Sequence, residues 1–446
     1  MKRTGAGRLI AITLAAALCA ALAAPEAYAA KPAAQFDSNV AVRWFNLLHD
    51  LIKVERLTPP VASRTIGYAG VTIYEAIALG MPDHRSLAGQ LNELDAIPAS
   101  RQGRNFHWPA VANAALARSL KSLFAGASSD SLARIDALEQ ELAAGMQATV
   151  KQKLLASSTA QGRAVADAII AWAGGDGYST LTNCPYTPPV GAGLWEPTPP
   201  GFRPALQPCW GQLRPFVLTS GGECAPPPHP AYSTDPASDF YAEGFEVYDT
   251  VNHLSQQQTD IALFWSDDPG PAGTPPGHWI SIVSQIAVRD HLSLDRAAEA
   301  YARVGLGVAD AFITCWATKF QDNLLRPITY IRNLLDPAWN SPLTTPAFPE
   351  FTSGHSTQSA AASELLTDLL GDVAFVDHTH DARGLAPRVF GSFTAAAEEA
   401  AISRLYGGIH YQAAIELGLG QGRCVAGAVR ERVRFLKDED EDEEDE

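Results

Sequence analysis

Apolar residues recur at three- and four-residue steps through most of the chain, a spacing that is typical of amphipathic helices. Residues 40–175 show it clearly, and the first apolar face there consists of Trp44, Phe45, Leu47, Leu48, Leu51 and Ile52. The stretch from Ser129 to Ala173 is rich in Ala, Leu, Glu and Gln and is followed by Gly174-Gly175, where a helix stops readily. We expect one or two long helices in this stretch.

The pattern changes between about residues 176 and 236, where closely spaced prolines exclude long helices. We expect this segment to be an irregular connection that packs through Trp195 and Trp210 and covers the helices. Helical spacing resumes at Ser255 and predicts further helices: Gly277 to about His291, Leu294 to Leu325, Ser356 to Leu370, Phe393 to Tyr406 and Tyr411 to Leu436. Because strand alternation is scarce, the sequence predicts an all-α helical bundle with long Pro/Gly-rich loops.

The charge of the chain is dominated by its last residues. The 446 residues carry a formal charge of −16, and residues 438–446 are nine consecutive acids. Without this tail and the predicted leader, which holds three basic residues and one acid, 30 basic and 39 acidic residues remain. An acidic body argues against general nucleic-acid binding, which requires a basic surface, but it is compatible with a locally positive pocket. We expect the tail to be disordered.

The first 29 residues have the layout of a secretory signal. A basic start precedes an apolar run from Leu9 to Ala24 and the small-residue site Ala27-Tyr28-Ala29. No later segment has 18 uninterrupted apolar residues, so we expect a secreted or periplasmic protein without a membrane span after signal removal. The predicted organisation is a signal peptide (1–29), an N-terminal helical region (30–175), a Pro/Gly/Cys-rich covering loop (176–236), a C-terminal catalytic helical bundle (237–437) and the acidic tail (438–446).

Three cysteines, Cys184, Cys209 and Cys224, lie in the Pro/Gly-rich segment. In an oxidising compartment two of them are expected to pair, with Cys209–Cys224 as the first choice and Cys184 left over. Cys315 and Cys424 lie in apolar helical patterns, where we expect small buried thiols.

Three short clusters supply the candidate chemistry: Lys319 with Arg326-Pro327, Ser353-Gly354-His355, and Arg404 with Gly407-Gly408 and His410. Together they offer three cations, two histidines, a hydroxyl and a glycine amide. Cations and N–H or O–H donors neutralise the oxygens of phosphate or vanadate. One histidine is then available to bond the central atom and the other to transfer a proton.

The spacing of the charged residues predicts how they converge. Lys319 and Arg326 would share one helix face about 10 Å apart, with the helix stopped by Pro327. Arg404 and His410 would point apart on one continuous helix, but Gly407-Gly408 interrupts it and lets both face a common point. For Ser353 alone, helix capping is a sufficient explanation.

The three clusters resemble the superfamily of vanadium-dependent haloperoxidases and type-2 phosphatidic acid phosphatases, which includes bacterial acid phosphatases. The superfamily pattern is a lysine, six residues and Arg-Pro, then Pro-Ser-Gly-His, then Ser-Arg, five residues and His. All three blocks occur here in order, with Thr352 in place of the proline before Ser353. The segments 195–200 and 264–268 are more loosely similar to secreted bacterial haloperoxidase-like proteins.

The resemblance implies a vanadate cofactor, with phosphate as a competitor for the same site. Lys319, Arg326 and Arg404 would bind the vanadate oxygens, and Ser353 Oγ and the Gly354 N–H would add hydrogen bonds. It also implies a helical bundle that forms a homodimer by default.

The resemblance assigns the two histidines as well. His410 would be the axial ligand to vanadium and His355 the general acid–base in a haloperoxidase that oxidises halide with hydrogen peroxide to hypohalous acid, which reacts with an organic acceptor. Alternatively, His410 would be the phosphorylated nucleophile of a secreted acid phosphatase. A third alternative is a non-catalytic oxyanion-binding protein.

Two aromatic residues favour the haloperoxidase. Trp316 lies three residues before Lys319 and Phe348 seven before His355. These offsets are similar to those of aromatic residues that line the halide pocket in fungal-type chloroperoxidases, although both residues could equally be core aromatics. Small-molecule substrates are the expected partners.

The remaining candidates are interpreted as structural. Asp267-Asp268 could orient Arg404, but a loop cap next to a proline is the favoured interpretation. We interpret His278 as a helix-start residue and His378 and His380 as loop residues, since no third metal ligand is evident beside them.

Overall fold

The structure, a computed structural model, describes residues 31–98 and 105–437. The predicted signal peptide and acidic tail lie outside the described residues. Within them the helices are α1 (Asn39–Val54), α2 (Pro59–Ile77), α3 (Trp108–Leu123), α4 (Ser129–Gln147), α5 (Gln152–Gly174), α6 (Tyr178–Leu181), α7 (Asp239–Asn252), α8 (Gln256–Phe264), α9 (Thr274–Arg289), α10 (Leu294–Asp322), α11 (Pro327–Leu334), α12 (Gly354–Leu370), α13 (Phe393–Tyr406) and α14 (Gln412–Arg432). One antiparallel pair, β1 (Phe375–Asp377) and β2 (Arg388–Phe390), is the only sheet described. The all-α prediction is confirmed.

Helix α10 forms the centre of the bundle and packs against α2, α9, α12 and α14. It is buried along most of its length, as expected for a helix with apolar residues on every side. A Cβ atom built on Gly70 of α2 would lie 2.6 Å from the carbonyl oxygen of Tyr301, so only glycine allows these two backbones to pack this closely. From α1, the ring of Phe45 stacks on Tyr301 with the centroids 3.7 Å apart.

Helix α12 lies between α10, α13 and α14. On α14, a Cβ on Gly422 would lie 2.1 Å from the Thr357 carbonyl oxygen, which explains the small residues along this contact. The neighbouring Gln421 accepts a hydrogen bond of 2.6 Å from Thr352 Oγ1 and donates one of 3.1 Å to Thr314 Oγ1. This buried amide therefore joins α10, α14 and the turn that leads into α12.

The segment 176–236 has little regular structure and passes over the end of α10. Trp195 and Trp210 are both buried, as predicted from the sequence. Trp195 N donates to the carbonyl oxygen of Asn323 at 2.6 Å. Leu206 accepts a hydrogen bond of 3.2 Å from the indole of Trp316. The segment thus contacts α10 next to the aromatic residues of the candidate halide pocket.

Several predicted helix ends are wrong by a few residues. Helix α9 begins at Thr274 rather than Gly277, because the prolines after Thr274 occupy the first helical turn, where no N–H partner is needed. Helix α10 ends at Asp322 rather than Leu325, because Asn323 adopts a left-handed conformation with φ of 50°. Helix α14 ends at Arg432 rather than Leu436. The helix predicted over Phe393–Tyr406 has those bounds.

The disulfide prediction is wrong. Cys184 pairs with Cys209, and Cys224 pairs with Cys424, which is exposed on α14 rather than a small buried thiol. The reason is tertiary: α14 lies beside the segment that carries Cys224, although 200 positions separate the two cysteines in sequence. Cys315 is buried and free, as predicted.

No helix among residues 31–98 and 105–437 combines the length and the apolar character needed to cross a bilayer.

The two disulfides provide a matched test of this topology. In the chain-entropy description, closing a loop of 200 rather than 25 positions stabilises the fold by about 2 kcal/mol more. We therefore expect the Cys224→Ala/Cys424→Ala variant to lose more unfolding free energy in guanidinium than the Cys184→Ala/Cys209→Ala variant. Peptide mapping without reductant checks the pairing directly, and a Cys209–Cys224 peptide would contradict it.

Candidate functional site

The turn before α12 presents Ser353, Gly354 and His355 at a helix N-terminus. Ser353 is the N-cap, and its Oγ accepts a hydrogen bond of 3.3 Å from Ser356 N. Its own N–H donates to the Ala414 carbonyl oxygen of α14 at 3.0 Å. Ser353 is therefore a cap, as the simpler interpretation of the sequence predicted, and its backbone is fixed between two helices.

His410 lies where the chain turns from α13 into α14. Helix α13 ends at Tyr406, and Gly408 has φ of 70°, so the glycine pair does interrupt the helix between Arg404 and His410 as predicted. The Nδ1 atom of His410 is 2.7 Å from Glu350 Oε1, and its Nε2 is 3.2 Å from Arg326 Nη1. The second contact places Arg326 directly beside the imidazole.

Arg326 reaches His410 from a different element than the spacing predicted. It does not share a helix with Lys319, because α10 ends at Asp322, and it is instead the extended N-cap of α11. Its Nε donates to the Phe348 carbonyl at 2.9 Å and its Nη1 to the Ile409 carbonyl at 2.8 Å. Its Nη2 is buried with no hydrogen-bond partner.

Lys319 lies in the last turn of α10 with its ammonium against the turn before α12. Nζ donates to the carbonyl oxygens of Pro349 at 3.1 Å, Glu350 at 2.9 Å and Thr352. An ammonium has three N–H donors, so all three are used by the backbone here. Lys319 therefore supplies charge to the site, and it must exchange a carbonyl contact to bind any other acceptor.

Arg404, in the last turn of α13, makes few contacts for a buried guanidinium. Its Nε donates to Ser403 Oγ at 3.0 Å, and its Nη2 is 3.4 Å from the Ala262 carbonyl oxygen. Burial lowers the pKa of Arg404 and that of Arg326 to about 10. Burial likewise lowers the pKa of Lys319 to about 8. The three side chains are thus costly buried cations that an anion would stabilise.

The electrostatic environment keeps both histidines neutral. Burial, then the cations of Arg326, Lys319 and Arg404, hold the pKa of His410 well below its usual value. Burial and then Arg404 lower the pKa of His355 in the same way. Neutral imidazoles have lone pairs that can bond an electrophilic centre or accept a proton. His410 contacts Arg326 and Glu350 directly, and Lys319 contacts the Glu350 carbonyl oxygen, so groups of the first and third clusters meet at one place.

This arrangement fits vanadate or phosphate. Three cations lie within the protein, and Arg326 Nη2 and His355 Nε2 are among the buried polar atoms without a hydrogen-bond partner. Arg326 Nη2 can only donate, so it suits an oxygen of a bound oxyanion, and the free His355 Nε2 is available for proton transfer.

Comparisons with known proteins identify the family to which this chain is similar. Residues 299–439 match the family model described as the VCPO second helical-bundle domain. A segment of 137 residues is 30% identical to the vanadium chloroperoxidase of Curvularia inaequalis, but it covers only 22% of that protein.

Solved structures extend the similarity to nearly the whole chain. The structure described as the first bacterial vanadium-dependent iodoperoxidase is 37% identical, with a TM-score of 0.84, over 90% of this chain and 98% of that one. This chain belongs to the vanadium-dependent haloperoxidases. A bacterial vanadium-dependent chloroperoxidase in its holo form shares the fold, with a TM-score of 0.67 and 15% identity over 85% of this chain and 93% of that one.

In this haloperoxidase, a carboxylate behind His355 was misinterpreted from the sequence. Asp267 is not a loop cap, because its side chain contacts His278 Nδ1 and His380 Nε2 at 3.1 Å each and lies 3.9 Å from His355 Nε2. Burial alone would raise the pKa of Asp267, but His278 and His380 lower it well below its usual value. The nearest sequence signal was its position in the loosely similar segment 264–268.

The interpretation of His278 as a helix-start residue and of His380 as a loop residue also missed their buried contacts with Asp267. Both are buried, so His380 is not an ordinary loop residue, whereas His378 is exposed and pairs with Asp381 in the loop as expected. His278 Nε2 also contacts Asp377 Oδ2 at 2.7 Å, and its ring stacks on Trp265. Direct hydrogen bonds satisfy this group, so no metal ion is needed to hold it together.

Glu350, like Asp377, contacts a histidine of this region but lies outside the three motifs of the sequence. It is fully buried five residues before His355, and its only sequence signal is an acid between apolar neighbours. Burial raises its pKa to about 7, opposed by Arg326 and Lys319.

The two predicted halide-pocket aromatics lie together. The rings of Trp316 and Phe348 are 4.8 Å apart, and Lys319 Nζ lies 5.1 Å from the centre of the Phe348 ring. Trp316 is also part of a small apolar cluster with Phe312 and Trp210. The pair therefore borders the cation site and the core at once.

His278 should be an imidazolium at neutral pH. Burial by itself lowers the pKa of His278, but the carboxylates of Asp267 and Asp377 raise it to about 10. Its contribution to the unfolding free energy is thus complete below pH 6.5 and is lost as the pH rises through about 10. We expect ring ¹⁵N spectra at pH 8 to show both nitrogens of His278 protonated.

Substitution of Asp377 tests whether the carboxylates cause the raised pKa of His278. Asp377→Asn keeps a hydrogen-bond acceptor but removes the charge, so the pKa of His278 should fall, whereas Asp249→Asn at an exposed site should leave it unchanged. A neutral His278 ring at pH 8 in the unsubstituted protein would show that the paired carboxylates do not act as described.

Proposed function

We propose that this protein is a vanadate-dependent haloperoxidase that oxidises halide with hydrogen peroxide to hypohalous acid. The observation that carries the proposal is the buried surplus of positive charge around a neutral His410, formed by Lys319, Arg326 and Arg404. The bacterial iodoperoxidase, similar over nearly its whole length, supports it. Bound vanadate would supply a Lewis acid that activates hydrogen peroxide toward halide.

Several side chains and one backbone N–H would bind the cofactor together. His410 Nε2 would bind the vanadium, and the unpaired Nη2 of Arg326 would donate to a vanadate oxygen. Arg404 makes a long contact to Ala262 and is the second guanidinium with spare donor capacity. Lys319 contributes charge and shifts one N–H from the carbonyls of the Pro349–Thr352 turn. Ser353 Oγ and the Gly354 N–H complete the donor set at the positive end of α12.

His355 would act as the general acid–base of the reaction. Its Nε2 is unpaired and neutral, so it accepts a proton as hydrogen peroxide binds and returns it to the leaving oxygen. The Asp267 carboxylate, 3.9 Å away, stabilises the imidazolium that forms in between. An acid–base residue beside an anionic partner is well suited to such transient protonation.

Trp316 and Phe348 border the proposed halide site. Their rings lie next to the Lys319 ammonium, which would polarise an oxygen of the bound cofactor on this side of the site. Iodide is the first halide to test, because the similar structure is that of an iodoperoxidase. Bromide and chloride follow as comparisons.

The proposal also includes export and dimerisation. Two disulfides favour an oxidising compartment, in agreement with the signal-like pattern of residues 1–29. The homodimer stays a prediction from the resemblance. Sedimentation equilibrium of the mature protein would decide it.

The proposed function is tested by assaying halide oxidation and phosphate-ester hydrolysis side by side. Iodide or bromide oxidation should require both hydrogen peroxide and added orthovanadate, and excess phosphate should suppress it by occupying the same site. Hydrolysis of p-nitrophenyl phosphate with a trapped phosphohistidine at His410 would instead support the phosphatase. Oxidation that persists after vanadate is stripped would contradict the proposal.

The role of His355 is tested by substitution. We expect His355→Ala to lower the oxidation rate about 10²–10⁴-fold, the usual contribution of a positioned acid–base group, with little change in vanadate binding by calorimetry. His378→Ala is the matched control, since that histidine is exposed and bonded only within its loop. Equal rates for the two variants would remove His355 from the reaction.

A further inference from the structure

Glu350 is fixed in position by its backbone as well as by its side chain. Its N–H donates to the Leu324 carbonyl at 2.9 Å, and its carbonyl accepts from Lys319 Nζ at 2.9 Å. Its Oε1 contacts two groups of the α13–α14 connection, His410 Nδ1 at 2.7 Å and Tyr411 N at 2.9 Å. The side chain is fully buried. A carboxyl group held this way has one position available to it.

Hydrogen-bond donor and acceptor rules assign the tautomer of His410. Tyr411 N–H can only donate, so Glu350 Oε1 accepts that hydrogen bond, and in its carboxylate form it also accepts one from His410 Nδ1–H. On the other side of the ring, the guanidinium of Arg326 can only donate, so His410 Nε2 must be the acceptor. Two independent contacts thus give the same tautomer, with the lone pair of Nε2 facing the cations.

We propose that Glu350 is a positioning residue that holds His410 as the Nδ1–H tautomer and thereby sets the affinity of the site for vanadate. Histidines that bind metals commonly donate their other ring N–H to a carboxylate, which fixes the ring and makes the binding nitrogen more basic. The tautomer assignment stands on hydrogen bonds alone, whereas its effect on vanadate rests on the proposed function.

The alternative is that Glu350 is only a structural carboxyl that joins two turns. Its hydrogen bond with Tyr411 N would then stabilise the fold, and its hydrogen bond with His410 would have no effect on vanadate affinity. Glu75 offers a matched control, because it is another buried glutamate that accepts a hydrogen bond from a backbone N–H, that of Leu87, but it belongs to α2 and contacts no residue of the site.

The experiment combines a spectrum and a binding measurement. Ring ¹⁵N–¹H correlation spectra of the vanadate-free protein, with the His410 signals assigned by their absence in His410→Gln, distinguish the two tautomers. Orthovanadate titration by calorimetry then measures affinity for the unsubstituted protein, Glu350→Gln, Glu350→Ala and Glu75→Gln.

We expect His410 to be the Nδ1–H tautomer in the unsubstituted protein and in Glu75→Gln. Glu350→Gln keeps an acceptor oxygen, so the tautomer should persist while vanadate affinity falls about 10-fold. Glu350→Ala should give mixed tautomers and a loss of about 100-fold. If Glu350→Ala does not fold, Glu350→Gln and the unsubstituted spectrum still test the assignment.

Two results would overturn the proposal. One is an Nε2–H tautomer of His410 in the unsubstituted protein, and the other is vanadate affinity in both Glu350 variants equal to that of Glu75→Gln. Failure of the unsubstituted protein to bind vanadate is a different result, because it overturns the proposed function. It also removes the claim that Glu350 sets vanadate affinity. The tautomer spectrum still tests the claim that Glu350 holds His410 as the Nδ1–H tautomer.

Discussion

The burial of three cations in one place is the constraint around which the C-terminal half of this protein is arranged. Lys319, Arg326 and Arg404 have almost no contact with solvent, and burial lowers the pKa of each. Such charges are tolerated only where polar groups surround them. Most of those groups are backbone carbonyls, which are available because the chain turns sharply between helices rather than continuing them.

The turn at residues 349–353 provides much of that polar environment. It contributes three carbonyl oxygens to Lys319, the Glu350 carboxyl to His410 and the cap of α12. Its buried position depends on close helix packing, which the glycines of α14 permit, and on the amide of Gln421. A single five-residue turn therefore connects the cation of α10, the histidine before α14 and the positive end of α12.

A second buried charge group lies behind His355. There two carboxylates, Asp267 and Asp377, enclose His278, and Asp267 also contacts His380. The sign of this group is opposite to that of the cation cluster, and Asp267 raises the pKa of Arg404 against the larger effect of burial. His355 lies between the two groups, so its surroundings differ from those of His410 even though both imidazoles are neutral. This asymmetry suits the two histidines to the different roles proposed for them.

The sequence by itself determined the helical class and indicated the candidate site residues through three motifs. Helical periodicity and the three motifs depend on neighbours within a few positions, so they are visible without a structure. The break at Gly407-Gly408 was predictable for the same reason, since glycine is a local signal. The α10 end was missed, because the left-handed conformation at Asn323 is a weak signal beside a continuing apolar pattern.

Only the tertiary structure decided which distant groups meet. The Cys224–Cys424 disulfide, the Glu350–His410 contact and the Asp267–His380 contact join positions separated by 60 to 200 residues. An isolated acid or histidine has no periodicity, and its partner depends on how helices pack rather than on its neighbours in the chain. Burial then sets the protonation of these groups, and burial of a polar side chain follows from packing that local sequence does not specify.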